Sequence, residues 1–500
     1  MIRRNNATMT RYQLRTATSL AALTAAGLVL SGCALGPDYK RPSVTTATAF
    51  KEADGWQKAA PAELSDKGDW WTLFNDPVLN DLEAKVAVSN QNLAAAEAAY
   101  RESVALLDEQ RATIFPTVTL NPSATRTKSA SAGALTGGSS TTGAATSSSS
   151  TAGRTINTYT AKLGASWDVD LWGRIRRSIE AARNTSEANK ADLANAKLSA
   201  QVLLAVDYVQ LRAADETKRL LDGTIKAYSD NLRIVQNKYN VGVAQRSDVL
   251  TATTQLKNAQ ASDTDLARTR AQYEHAIAVL IGQPPANVTL AVAPWTLKSP
   301  TVPLGVPSTL LQRRPDIAAA ERVMAAANAQ IGVAEAGFFP DVSLTGTDGF
   351  TSSTLSRFFS AANNSWSLGA SAAQTVFDAG STLAKVRYAR AAYDQNVAVY
   401  RQTILTALQQ VEDNIAAARV LDAEYDLDAA ASQAADEAEK IVNNQYTAGT
   451  VDYTTVVVAQ NTALTARRAL ITTDSARLVA VVDLISALGG GWSQQQLAQK

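Results

Sequence analysis

Cysteine is almost missing: Cys33 is the only one in 500 residues, so no intrachain disulfide is available and thiolate-rich metal sites are excluded. The single histidine, His275, sits mid-helix as a surface or packing residue and leaves little for zinc, copper or iron ligation. Proline does not occur between Pro122 and Pro284 or after Pro340, and between Gly173 and Gly282 only Gly223 and Gly242 interrupt. Stretches without either breaker permit long helices. Aromatic residues are 6% of the chain, which suits closely packed, alanine-rich helices. The 47 Lys+Arg and 46 Asp+Glu nearly cancel and are interspersed, arguing against a nucleic-acid groove or a polybasic membrane patch. Beyond the first 32 residues there is no run of about 18 apolar residues, so any membrane passage must use β-strands. No phosphate-cradling loop, metalloprotease helix or nucleophile elbow occurs, and neither an enzyme nor a bound cofactor is expected.

What is present begins with the N-terminus. Arg3, Arg4, Arg11 and Arg15 precede an apolar segment from about Ala17 to Leu30, and Leu30 to Cys33 reads Leu-Ser-Gly-Cys. A basic region, a short apolar region and small residues before a cysteine form a lipoprotein signal. Cleavage would leave Cys33 carrying diacylglycerol and an N-acyl chain, both inserted in lipid. Ala34 follows it, and the absence of aspartate there points to outer-membrane sorting.

The remainder reads as two copies of one plan. A helical pattern runs from Ile175 to Tyr239, with Leu221, Ile225, Tyr228, Leu232, Val235 and Tyr239 spaced as a heptad seam. A second helix spans about Asp248 to Ile281. The same pair recurs over about Thr382 to Gln445 and Tyr453 to Leu488. Tyr239 and Gly242 match Tyr446 and Gly449, and Gly173 matches Gly380, all at an offset of 207; Phe115-Pro116 matches Phe339-Pro340 at 224. A Ser/Thr/Gly/Ala tract, Ser129 to Gly153, accounts for the difference as a flexible exposed loop in the first copy.

Between each Phe-Pro and each glycine lie two strands. From Tyr159 to Leu171 the odd positions are apolar, and the even ones are Thr160, Lys162, Gly164, Ser166, Asp168 and Asp170. This is period two over about 10 residues, the length of a tilted transmembrane strand. Trp366, Leu368, Ala370 and Ala372 form a similar face, and Val118 with Leu120 and Val342 with Leu344 mark the shorter partners. Lys162, Asp168 and Asp170 are the candidate lumen-facing residues. Four strands cannot close a barrel, and open edges are not tolerated in lipid, so oligomerisation is required. Three copies would give twelve strands around a water-filled lumen, and two would give eight filled by side chains.

Several motifs occur in order: Cys33 to Pro42 (Cys-Ala-Leu-Gly-Pro-Asp-Tyr-Lys-Arg-Pro), Trp70-Trp71 with Phe74 to Leu79, Leu280 to Pro285, Leu310 to Ile317 leading to Ala320-Glu321, and Ile331-Gly332 through Phe338-Phe339-Pro340. Through these the chain resembles the outer membrane factor family, the TolC-like efflux ducts, in its lipidated NodT/OprM-like branch. The resemblance implies a mixed, mainly α fold: long antiparallel coiled-coil helices forming a periplasmic tunnel, with four strands per protomer in a 12-stranded trimeric barrel. It implies a homotrimer in the outer membrane of a Gram-negative bacterium, a periplasmic adaptor, and an inner-membrane pump of the resistance-nodulation-division type. The expected organisation is a signal (1–32), a lipidated segment wrapping an equatorial region (33–78) and a first repeat (79–282: one helix, a hairpin over 115–172, long helices over 174–281). A linker follows (283–314), then a second repeat (315–488: a helix, a hairpin over 339–379, long helices over 381–488) and a tail (489–500).

The resemblance also places Tyr239, Gly242, Tyr446 and Gly449 at the periplasmic tip. Relatives often carry an aspartate ring at the constriction, and here that position holds Val458. A hydrophobic constriction at Val458, with charge from Asp248 or Asp452, is expected instead. Pro315 and Asp316 read as the first turn of a helix, and Trp56, Trp70 and Trp71 as packing residues. The rival functions are a duct for protein secretion and a non-conducting structural envelope lipoprotein.

Overall fold

The computed structural model describes residues 34–44, 49–52, 69–128, 155–300 and 313–491. Cys33, Trp56 and the Ser129 to Gly153 tract lie outside them. Seven α-helices and four strands make up the described chain: α1 Pro77–Ser89, α2 Gln91–Ala112, β1 Thr117–Lys128, β2 Thr155–Val169, α3 Arg174–Asn240, α4 Arg246–Leu280, α5 Pro315–Ala336, β3 Asp341–Ser352, β4 Asn364–Ala373, α6 Ser381–Thr447 and α7 Tyr453–Ala487. None of these helices is long and apolar enough to cross a membrane.

The two copies are related almost residue for residue. Helices α3 and α6 both have 67 residues, α4 and α7 both have 35, and their bounds differ by 207 throughout. The elements α2 and β1 recur as α5 and β3 with equal lengths of 22 and 12 residues, displaced by 224. At ~1.5 Å per residue, each 67-residue helix is about 100 Å long. One helix was expected from residue 79 in the first copy, and two are found. Asn90 ends α1 and starts α2: its Oδ1 accepts from the Leu93 N–H at 3.0 Å while its Nδ2 donates to the Leu280 carbonyl at 2.7 Å. A buried asparagine that caps one helix and holds a second favours a break over continuation.

The chain divides into two compact units, each drawn from both repeats. One comprises residues up to Tyr39 with 105–183 and 326–393; the other comprises 40–104, 184–325 and 394 onward. The first holds the sheet, antiparallel throughout in the order β1-β2-β3-β4. Pro122 lies on β1, an edge strand, where a missing N–H is tolerated. The second unit holds the main apolar core. There Trp70, Trp71, Phe74, Leu79 and Leu82 pack with Leu204, Tyr208 and Leu211 of α3, Ile277 of α4, Val411 and Ile415 of α6, and Leu478 and Leu484 of α7. Asp76 caps α1 by accepting from the Val78 and Leu79 N–H groups at 2.8 and 3.1 Å, ahead of Pro77 in the first turn. It also accepts from the Tyr208 hydroxyl at 2.8 Å, and burial pushes that phenol up to about 12. Pro315 opens α5 and Asp316 accepts from the Ile317 N–H at 2.9 Å, as the sequence suggested.

Candidate functional site

Register converts the sequence alternation into two chemically distinct faces. Leu120 pairs with Leu163, Trp167 with Leu344, and Leu344 with Ala370, so this face is apolar on all four strands apart from Asp348, which stands between Leu163 and Trp366. On the opposite face Thr119 pairs with Gly164, Asp168 with Ser343 and Ser343 with Ser371. Hydroxyls bond across the last pair of strands there: Ser343 to Ser371 and Thr347 to Ser367, each at 2.8 Å. Lys162 and Asp168 stand on this polar face. Among the described residues the outer edges of β1 and β4 have no strand partner.

Asp170 has a different place from the one expected. The strand ends at Val169, and the Asp170 carboxylate accepts from the Ile175 and Arg176 N–H groups at 3.0 and 2.9 Å and from Arg176 Nε at 3.1 Å. It is spent on the start of α3, whose unpaired amides attract an anion. Asp378 does the same for α6, accepting from the Gly380 and Thr382 N–H groups at 2.9 and 2.7 Å; these bonds, chiefly the Thr382 hydroxyl, hold its carboxyl below the usual range. Period two carried the strand reading two residues too far because a capping aspartate continues the alternation.

The residues just after Cys33 are tied down within the same unit. Arg177 donates to the carbonyls of Leu35 (2.9 Å) and Gly36 (3.2 Å) and pairs with Asp38 (2.9 Å), while Asn328 Nδ2 donates to the Pro37 carbonyl at 2.8 Å. Gly36 lies against Gly332, leaving no room for a side chain. Neither Arg177 nor Asn328 was singled out from sequence, since no local pattern reveals a partner about 140 or more residues away.

In the second unit the two Tyr-x-x-Gly turns meet. Gly242 and Gly449 both have φ +78°, the left-handed conformation that ends a helix at low cost only for glycine. The Val243 N–H returns to the Lys238 carbonyl at 2.8 Å, and the Thr450 N–H to the Gln445 carbonyl at 3.0 Å. Val235, Ala252, Tyr453 and Val456 form a small buried cluster edged by Val249 and Tyr446. Tyr446 and Tyr453 rings lie 5.5 Å apart, and burial, with neighbouring phenols, pushes Tyr453 up to about 12. Asp248 accepts from the Gln245 N–H at 3.1 Å and Asp452 from the Thr455 N–H at 2.9 Å, so both cap the returning helices. Hydrogen bonds from the Thr455 hydroxyl and N–H hold the Asp452 carboxyl below its ordinary range. Tyr239 and Val458 are exposed.

A four-stranded amphipathic sheet together with paired 67- and 35-residue helices defines a class, the outer-membrane channel proteins. The model of the family described as outer membrane efflux protein matches residues 84–283 and 306–490, and the chain belongs to that family. The probable efflux pump outer membrane protein TtgC of Pseudomonas putida is 31% identical over 95% of this chain and 96% of its own length. Outer membrane protein OprJ of Pseudomonas aeruginosa is 29% identical over 93% and 95%. Among solved structures, the outer-membrane channel OprN is 31% identical with a TM-score of 0.83, covering 92% of this chain and all of that one. The Neisseria gonorrhoeae MtrE channel is 28% identical with a TM-score of 0.80, covering 92% and 99%. The protein is an outer-membrane efflux component of a channel-forming family.

Proposed function

We propose that three copies close into one twelve-stranded barrel, and that the chain is the passive exit duct for small molecules delivered by an inner-membrane pump through a periplasmic adaptor. The observation that carries this is the sheet: one face hydroxyl-rich, one apolar, and both outer edges unpaired among the described residues. In lipid such edges must find another copy, and the polar face then encloses water, with Lys162 and Asp168 toward the lumen. Relatives named for antibiotic and toluene efflux support small, partly apolar cargo, and a pump of the resistance-nodulation-division type is the partner we assign. At the tip, Tyr239, Gly242, Tyr446 and Gly449 shape the turns. Val458, 61% exposed, forms an apolar constriction, and Asp248 and Asp452 serve chiefly as caps.

The Arg177 clamp on Leu35 to Asp38 supports lipidation at Cys33, because it fixes the start of the mature chain next to the sheet. Purified protein in planar bilayers is expected to give one reproducible conductance and a trimeric mass in detergent. A monomer without conductance overturns the proposal, and a trimer without conductance favours the structural envelope reading.

A further inference from the structure

Three cations at the hairpin end of the sheet have no role in the duct. Arg126 and Lys128 close β1, and Arg357 lies between β3 and β4; all three are exposed, and among the described residues none has a carboxylate within ion-pair distance. Their position follows from register. Arg126 and Lys128 share parity with Val118 and Leu120, and Arg126 is opposite Asn157, so both stand on the apolar face and not on the hydroxyl face.

Height along the sheet places them at a boundary. On the apolar face of β2, Trp167 lies near the helix-bearing end and Tyr159 eight residues closer to the hairpin end. At ~3.4 Å per residue that is about 27 Å of strand; a tilt of about 40° reduces it to ~20 Å, nearly the apolar band of an outer-membrane barrel. Asn157, and therefore Arg126, lies just beyond the second aromatic. The connection between β3 and β4 folds onto this same face: Phe350, which shares parity with Leu344, has the Phe358 and Phe359 rings at 6.2 and 5.5 Å. Phe359 and Leu355 of that connection remain 79% and 69% exposed. Cations just past the apolar band, with exposed apolar rings on the same face, are the composition of a headgroup contact. Asp348 is a carboxylate on this face, and its Oδ1 is engaged by Asn364 Nδ2 at 3.1 Å.

We propose that Arg126, Lys128 and Arg357, with Phe359 and Leu355, bind the phosphorylated glycolipid of the outer leaflet, the cations taking its phosphates and the apolar side chains its acyl chains. This rests on the barrel reading above, and conductance of the same preparations tests that reading separately. The experiment places the full-length protein in zwitterionic nanodiscs and titrates bis-phosphorylated lipid A, its dephosphorylated form, and phosphatidylglycerol. Native mass spectrometry counts the bound lipid. Wild type is expected to prefer bis-phosphorylated lipid A at least tenfold over both alternatives. The triple variant Arg126→Glu, Lys128→Glu, Arg357→Glu is expected to lose that preference while conducting normally. Reversal of three exposed helix cations (Lys226→Glu, Lys257→Glu, Arg401→Glu) is expected to leave it unchanged. Equal binding of the dephosphorylated lipid by wild type overturns the proposal without any variant. Equal binding of phosphatidylglycerol, or undiminished preference in the triple variant, overturns it too.

Discussion

Lys238, at the end of α3, donates from Nζ to the Tyr446 carbonyl at 2.9 Å and holds its ammonium 3.8 Å from the centre of the Tyr446 ring. One residue of the first repeat's turn thereby grips the second repeat's turn twice, once by a charged hydrogen bond and once by a cation–π contact. Such contacts contribute about 1–3 kcal/mol for the bond to a charged donor and roughly 0.5–2 kcal/mol for the ring. Lys238→Met keeps the stem and removes both. The expected result is faster amide exchange around Tyr446 and Tyr453 and a larger or noisier single-channel conductance. Lys238→Arg should recover most of the wild-type behaviour. Unchanged exchange at Tyr446 in the methionine variant would show that the grip is incidental.

The paired glycines make a test of the internal repeat. Gly242 and Gly449 share φ +78°, and nothing lies within 4 Å of where a Cβ would stand at either. Alanine there meets backbone strain without a clash, costing about 1–2 kcal/mol. Gly242→Ala and Gly449→Ala should therefore lower thermal stability by similar amounts, whereas a large asymmetry would mean that only one turn is held against a partner in the assembled channel.

Buried charge fixes the segment between the repeats. The Asp215 carboxylate, fully buried, accepts from Arg212 at 2.6 Å and Arg270 at 2.7 Å, and the Ala293 N–H reaches it at 3.3 Å. Arg212 and Arg270 also donate to the Ala291 and Leu290 carbonyls, so helices α3 and α4 hold 290–293 through one anion. Asp215→Ala leaves two guanidinium groups short of a partner in a low-dielectric site, with an expected loss of about 3–5 kcal/mol. The measurement is the denaturation midpoint together with protease cleavage near residue 293, both of which should shift together.

Local signals were legible in the sequence and distant ones were not. Helix bounds such as Arg174–Asn240 and strand faces through Trp167 and Leu344 follow from periodicity, and the turns at Gly242 and Gly449 follow from punctuation. Asp170 was misplaced because a cap and a strand position obey the same alternation. The Asn90 break was missed because one asparagine barely changes helix propensity; its partner, the Leu280 carbonyl, lies 190 residues on. Arg177, Lys238 and Asp215 acquire their roles only when chain segments far apart in sequence meet, which no single-sequence pattern encodes.

Glu83 gives stability a pH dependence whose sign is opposite to that of most carboxylates. Its side chain on α1 is fully buried, neither carboxylate oxygen has a hydrogen-bond partner among the described residues, and desolvation pushes its pKa up to about 9. The folded state therefore keeps the proton through neutral pH, while the unfolded chain releases it near the ordinary carboxylate value. Between those two values the folded state binds more protons, so stability falls as pH rises from about 4.5 to about 9 and is level beyond. At pH 7 the accumulated penalty is on the order of 3 kcal/mol. Glu83→Gln resembles the protonated acid and cannot ionise, so it should raise the melting temperature at pH 7, still more at pH 8.5, and hardly at all at pH 4. A variant melting below wild type at pH 8.5 would mean that Glu83 is ionised and paired in the folded protein.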